Sequence, residues 1–375
     1  MRKIFLMTLL ITLSCHVCYA EWTMFRSDTS NSGRAEEYLQ TPLSVKWECH
    51  LGGKIVSSPV VFNNKVYIGN RDGKVYAIDK TNGKVVWEFN ARDWVDSTCS
   101  VTEDAVYFSC RGGALYSLNP ENGELIWKYG TYGTDSASPL VIDGKVFCGS
   151  GFENKFVYSL DAKLGVLMWK TDTQQMVYSS PAISGSKLYV GSDDGYVYCL
   201  DKNSGSIKWK YNTGGGIYYA SPAVANGRVY IAPGNFNWSV FALDAQSGNL
   251  IWKYEVEDKK STPTYVSSVG IGKNEIFFVS GYEQQYLYCI NSSGGSLKWK
   301  APLGAALRYG FSSSPCVLED IVFVCSSNGA LKAFEISTGN LVWEEKIGRG
   351  ILASPAIDND VLYIATFEGV LYALE

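Results

Sequence analysis

The chain has 375 residues with 33 Lys and Arg against 37 Asp and Glu, a net charge of −4, and only two histidines, His16 and His50. At roughly 150 residues per domain this suggests two domains, although closed all-β folds run longer as one. The mild acidity excludes a nucleic-acid surface, and the scarcity of histidine removes most His-based triads and metal clusters.

Residues 1–20 read as a secretory signal peptide. Arg2 and Lys3 precede an apolar run from Ile4 to Leu13, and Cys18-Tyr19-Ala20 offers small residues at the cleavage positions. The run is short for a membrane span, so an uncleaved anchor is the lesser alternative. Lipidation at Cys15 or Cys18 is another, but Leu13 stands one place too close to Cys15. No later run approaches membrane length. The expected location is periplasmic or extracellular, and an oxidising compartment permits disulfides. The eight cysteines beyond the signal contain no Cys-x-x-Cys. They read mainly as small core residues, with Cys199 and Cys289 standing where Ala77 stands in its own repeat.

Residues 21–43 form a leader outside the repeats, and residues 44–375 read as one domain. A phrase of about forty residues recurs through it. It runs from Ser57-Ser58-Pro59 through Lys65–Gly69 and Val75–Asp79 to Asn82-Gly83-Lys84-Val85-Val86-Trp87. Its closing tryptophan recurs at Trp47, Trp87, Trp127, Trp169, Trp209, Trp252, Trp299 and Trp343, spaced 40 to 47 residues apart. The opening Ser-Pro recurs five more times, while Cys99 and Val269 take the proline place in two repeats.

Each unit predicts four short strands, because alternating β-branched and aromatic runs are bounded by turn residues. Gly at the third turn supplies the positive φ of a tight hairpin. No helical period appears. Four antiparallel strands per repeat, arranged radially, describe an eight-bladed β-propeller. The last unit ends at Glu375 with three strands. The strand around Trp47 is therefore expected to pair into the last blade and remove the open edges.

The run from Ala77 to Trp87, and again from Ala242 to Trp252, resembles the tryptophan-docking motif of the pyrroloquinoline-quinone (PQQ) repeat propellers. The leader, from Trp22-Thr23-Met24-Phe25-Arg26 to Asn31-Ser32-Gly33-Arg34, looks like the opening of secreted members. The resemblance implies that the tryptophan of one blade packs on the Ala and Gly region of a neighbour. It carries two functional implications. Quinoprotein dehydrogenases hold PQQ and calcium on the axis, but no residue here matches their catalytic Asp, their calcium ligands or their adjacent-cysteine pair. The BamB-like branch is non-enzymatic and docks peptide segments of a barrel-assembly partner.

The expected function is thus an exported protein-binding scaffold, not an enzyme. It would act in outer-membrane protein assembly or at the cell surface, as a monomer without cofactor. A PQQ-dependent dehydrogenase and a carbohydrate or surface-adhesion module are the alternatives. Loops between blades and loops joining the second and third strands share one rim of a propeller. They carry Trp94, Tyr132, Tyr178, Tyr218, Tyr219, Trp238, Tyr265, Arg308 and Tyr309. Arg349, Arg71, Arg111, Phe152, Phe236 and Tyr282 add to the set. Aromatic and Arg residues are enriched at binding hot spots, so this rim is the candidate partner-binding surface. The competing reading is that these rings pack between blades.

Overall fold

The computed structural model describes residues 22–133, 137–151, 154–234, 238–256, 266–280, 284–305 and 313–375. The signal peptide reading therefore falls outside the described residues. Those described form eight four-stranded antiparallel sheets. Seven blades take their strands in chain order, spanning 60–90, 100–130, 140–172, 182–212, 223–255, 270–305 and 316–346. The eighth combines Ala356–Asp358, Val361–Ala365 and Val370–Leu374 with the early strand Val45–His50. Trp47 pairs with Ala373 in that sheet, as the strand count requires. First strands of neighbouring blades touch one another and surround the axis. No helix occurs among the described residues.

The docking ladder works at two places. Within a blade, the residue facing the tryptophan is small: Ala77 opposite Trp87, Cys199 opposite Trp209 and Cys289 opposite Trp299. This explains why cysteine replaces alanine there. Between blades, the indole lies over the glycine of the next blade's third turn. A Cβ on Gly123 would come within 2.7 Å of the Trp87 ring, and Gly123 has φ +74, so shape and backbone both demand glycine. The Trp87 indole N–H also donates to the Pro120 carbonyl at 3.0 Å. Six other tryptophans of the ladder make the same bond to the following blade, and Trp343 packs against the core of the closing blade.

A second closed ring lies nearer the axis. The backbone N–H of Ser58 donates to the Thr98 hydroxyl, and that of Thr98 to the Ser138 hydroxyl. The chain of bonds continues through Ser180, Ser221, Ser268, Ser314 and Ser354 back to Ser58, at 2.9–3.2 Å throughout. The hydroxyl is present in all eight repeats, including the two that lack proline. The repeated feature at this position is thus a hydrogen-bond acceptor for a buried N–H that would otherwise go unpaired.

The eight described cysteines are free and buried. Burial pushes the Cys99, Cys289 and Cys325 thiols up to about 12, which leaves them inert at neutral pH. Cys316 faces Phe323, with Cys325 two residues further along.

Residues 22–43 belong to none of the eight sheets, yet they are built into the ring. Carbonyls of Trp22 and Thr23 accept from Val61 and Val101 in the first two inner strands. Those of Thr29, Ser30, Ser32 and Gly33 accept from Ile183, Val224, Ile271 and Val317 in blades four to seven. Met24 packs on the third blade, and Leu39 and Leu43 on the eighth. Arg26, 2% exposed, donates to the carbonyls of Asn31, Ser32, Val269 and Pro315. The Asn31 amide reaches Pro181 and Pro222 at 2.9 and 3.0 Å. The leader thereby straps the axis at the end where each blade makes its first turn.

Candidate functional site

At the opposite end of the axis, among the described residues, lie loops that precede inner strands and loops that join second and third strands. Backbone bonds tie the two sets together: Arg71 N–H donates to Lys54 C=O, and Arg111 N–H to Trp94 C=O, at 2.8 and 2.9 Å. The sharing of one rim, expected from the repeat, is thus a hydrogen-bonded arrangement.

Trp94 is the centre of the cluster. The residue is 40% exposed, and the Arg71 and Arg111 guanidinium carbons lie 4.6 and 4.8 Å from its ring centroid. Both arginines turn to Asp96, whose side chain is 7% exposed. Arg71 holds it with two hydrogen bonds, Nε to Oδ1 at 2.8 Å and Nη2 to Oδ2 at 3.0 Å. Arg111 Nε approaches Oδ2 at 3.3 Å. Asp96 therefore fixes two cations beside one indole, a charged and aromatic surface with restricted freedom. Beside it opens a cleft of about 500 Å³ lined by Gly53, Lys54, Arg71, Asp72, Trp94, Phe367 and Glu368. Lys54 Nζ stands 5.2 Å from the Phe367 centroid.

A second aromatic group comes from the loops before blades four and five. Tyr178 and Tyr218 meet edge to face at 4.8 Å, Tyr178 and Tyr219 stack at 5.3 Å, and Tyr218 and Tyr219 meet at 4.5 Å. Tyr219 has φ +66, a strained conformation for a large side chain. Burial raises its hydroxyl pKa, Arg111 opposes the shift, and the Asp96 charge adds to it. The charges beside Trp94 thus act on the Tyr219 hydroxyl.

The remaining expected residues divide. Tyr132 is 84% exposed, beside Gly130. Tyr178 is 7% exposed, and Trp238 packs on the core between blades five and six, so these two follow the packing alternative. Arg349 is exposed, and its N–H donates to Glu368 at 2.6 Å. Tyr265, Arg308, Tyr309, Phe152, Phe236 and Tyr282 lie outside the described residues. Asp96 was missed from sequence because a lone aspartate in a loop signals nothing until two arginines converge on it. Among the described residues no three His, Cys, Asp or Glu side chains converge as a metal cluster. No helix among the described residues is long and apolar enough to cross a membrane.

Fold and docking ladder define an eight-bladed propeller of the PQQ-repeat class. The family described as outer membrane protein assembly factor BamB matches residues 40–211 and again 153–375, and the chain belongs to that family. BamB of Legionella pneumophila is 40% identical over 74 residues, 17% of this chain and 19% of that protein. BamB of Moranella endobia is 24% identical over 195 residues, 49% of this chain and 47% of that protein. A tetrathionate hydrolase of Acidithiobacillus ferrooxidans is 26% identical over 187 residues, 45% of this chain and 36% of that protein. The chain thus spans less than half the length of these curated relatives. Among solved structures, BamB from Moraxella catarrhalis superposes with TM-score 0.73 at 18% identity, covering 89% of this chain and 98% of that one. Quinohemoprotein alcohol dehydrogenase from Comamonas testosteroni reaches 0.80 at 15% identity, covering 95% and 80%. These two structural likenesses concern the fold alone.

Proposed function

We propose that this chain is an exported, non-enzymatic scaffold that docks a protein segment on the rim around Trp94 during outer-membrane protein assembly. One observation carries the reading: an exposed indole is held by two arginines on one buried carboxylate, at the axial end that the leader leaves uncovered. Such a surface presents a large apolar ring at little entropic cost, with cations positioned for carbonyls or carboxylates of a bound segment. Membership of the BamB family supports the assembly role, and the signal-like first twenty residues support export.

The test is capture from a native envelope extract by the immobilised mature protein. Wild type is expected to retain a barrel-assembly protein. Trp94→Ala combined with Tyr219→Ala is expected to lose it by about tenfold or more while remaining folded. Unfolding of the double variant would reassign both residues to the core. The reading takes the chain to work without a cofactor. The fold shared with quinoprotein dehydrogenases makes dehydrogenase activity the second reading. Titration with PQQ and calcium, followed by absorbance and dye-linked oxidation, decides it: saturable binding with turnover would replace the scaffold by an enzyme. A glycan-binding assay separates the adhesion alternative.

A further inference from the structure

The turns that join third and fourth strands share a glycine, and blade three departs from the rest on both sides of it. Ahead of the glycine stand Asn82, Asn122, Ser204, Ser247, Gly294 and Thr338 in six blades, but Leu164 in the third. After it stand Lys84, Glu124, Ser206, Asn249, Ser296 and Asn340, but Val166 in the third. Five of the polar residues ahead of the glycine accept a hydrogen bond from the N–H two residues on, as Asn82 does from Lys84 at 2.9 Å. Leucine cannot accept that bond. Leu164 forgoes it and stands 64% exposed, with Val166 54% exposed and Leu167 and Met168 exposed beside them. Leu125 and Ile126 of blade two are exposed as well. They border the tip, because Trp127, which follows them, lies over Gly165. We propose that this hairpin tip inserts its aliphatic side chains into the interfacial layer of a phospholipid bilayer.

The turn keeps its shape without help from Leu164 or Val166 side chains. Asp161 Oδ1 accepts from the N–H groups of Lys163 and Leu164 at 2.9 and 2.8 Å. The Gly165 N–H donates to the Asp161 carbonyl at 2.9 Å. The Trp127 indole N–H donates to the Ala162 carbonyl at 2.9 Å. The aliphatic side chains are thus carried on a fixed hairpin, and the local rule that six other blades obey is broken where the side chains face solvent. Such a departure marks function rather than architecture.

Three observations favour a bilayer over a protein. The patch is aliphatic and holds no Trp, Tyr or Arg, the types that dominate protein hot spots and that gather instead around Trp94. A hairpin tip falls well short of the about 800 Å² per partner that a stable protein interface buries, whereas a few aliphatic side chains suffice to enter the headgroup boundary. Lys163, exposed in the turn itself, can run its stem along the apolar layer and leave its ammonium among the headgroup phosphates. Lys128 and Lys170 are exposed two residues beyond Ile126 and Met168, with Glu124 of blade two opposing them. Position in the fold agrees. The Ala162 N–H donates to the Gly144 carbonyl, which ties this tip to the first turn of its blade. The tip therefore lies at the end of the propeller that the leader straps. The chain enters the fold at that end, where the Trp22 carbonyl accepts from Val61. The apolar run Ile4–Leu13 leads to the same side, and the Trp94 rim faces away from it.

The experiment sediments the mature protein with vesicles of equal parts phosphatidylethanolamine and phosphatidylglycerol. Wild type is expected to pellet with the vesicles. Leu164→Ser combined with Val166→Ser rebuilds the Ser204-Gly205-Ser206 turn of blade four. That variant is expected to bind about tenfold or more weakly, with a melting temperature equal to wild type or above it. Wild type that stays in the supernatant would overturn the proposal, as would equal pelleting of the variant. A wild-type dimer broken by the same two substitutions would give the patch to a second copy instead. A second readout keeps the tip almost intact: Leu164→Cys carries an environment-sensitive dye, the eight described native thiols being buried. Its emission should shift to the blue on vesicles, and the same dye on Asn82→Cys of blade one should not respond. Equal responses at the two tips would contradict insertion by blade three.

Discussion

Trp87 and Trp94 stand seven residues apart, one in the outer ladder and one on the axial rim. Trp87 is 8% exposed, seated on Gly123 and bonded to Pro120. Trp94 is 40% exposed and is braced by two arginines rather than covered by a neighbouring blade. The same side chain thus serves cohesion where the next blade offers a glycine, and presentation where the loops offer charge. The difference lies in what faces the indole, which the repeat fixes for the ladder and leaves free at the rim.

The largest expected effect comes from removing the ladder ring. Trp87→Ala should cost about 3–5 kcal/mol, read by denaturant unfolding, and should leave partner capture by the remaining folded protein unchanged. Gly123→Ala attacks the same contact from the other blade and should cost about 2 kcal/mol or more, from positive φ and collision with Trp87. Because the two substitutions share one contact, the double variant should lose less than the sum. Additive losses would mean that the indole and the glycine do not support each other. Ser221→Ala breaks one link of the hydroxyl ring, leaving the Ser180 N–H unpaired, and should cost about 1–3 kcal/mol. An unchanged midpoint would show that the ring does not hold the blades together. The smallest effect on stability belongs to Trp94→Ala, about 1 kcal/mol or less for its cation contacts.

The ladder, the blade number and the closure by the strand at Trp47 were legible because each rests on a repeat that can be counted. Trp94 stood out because no repeat accounts for it. Tyr178 and Trp238 looked equivalent in sequence, but burial of a loop ring depends on the neighbouring loop, which spacing does not encode. The hydroxyl ring was masked by the Ser-Pro dipeptide, in which the serine or threonine and not the proline carries the bond. The role of the leader was the least legible. Arg26 and Asn31 bond to backbone carbonyls of Val269, Pro315, Pro181 and Pro222, and a carbonyl leaves no mark in sequence composition.

The most direct test of the account compares Trp94→Ala with wild type in two readings of one preparation: melting temperature, and capture of a barrel-assembly protein from envelope extract. The account predicts a melting temperature close to wild type with capture reduced about tenfold or more. Capture equal to wild type by a folded Trp94→Ala protein would contradict it, and the rim would then be architecture rather than a docking surface.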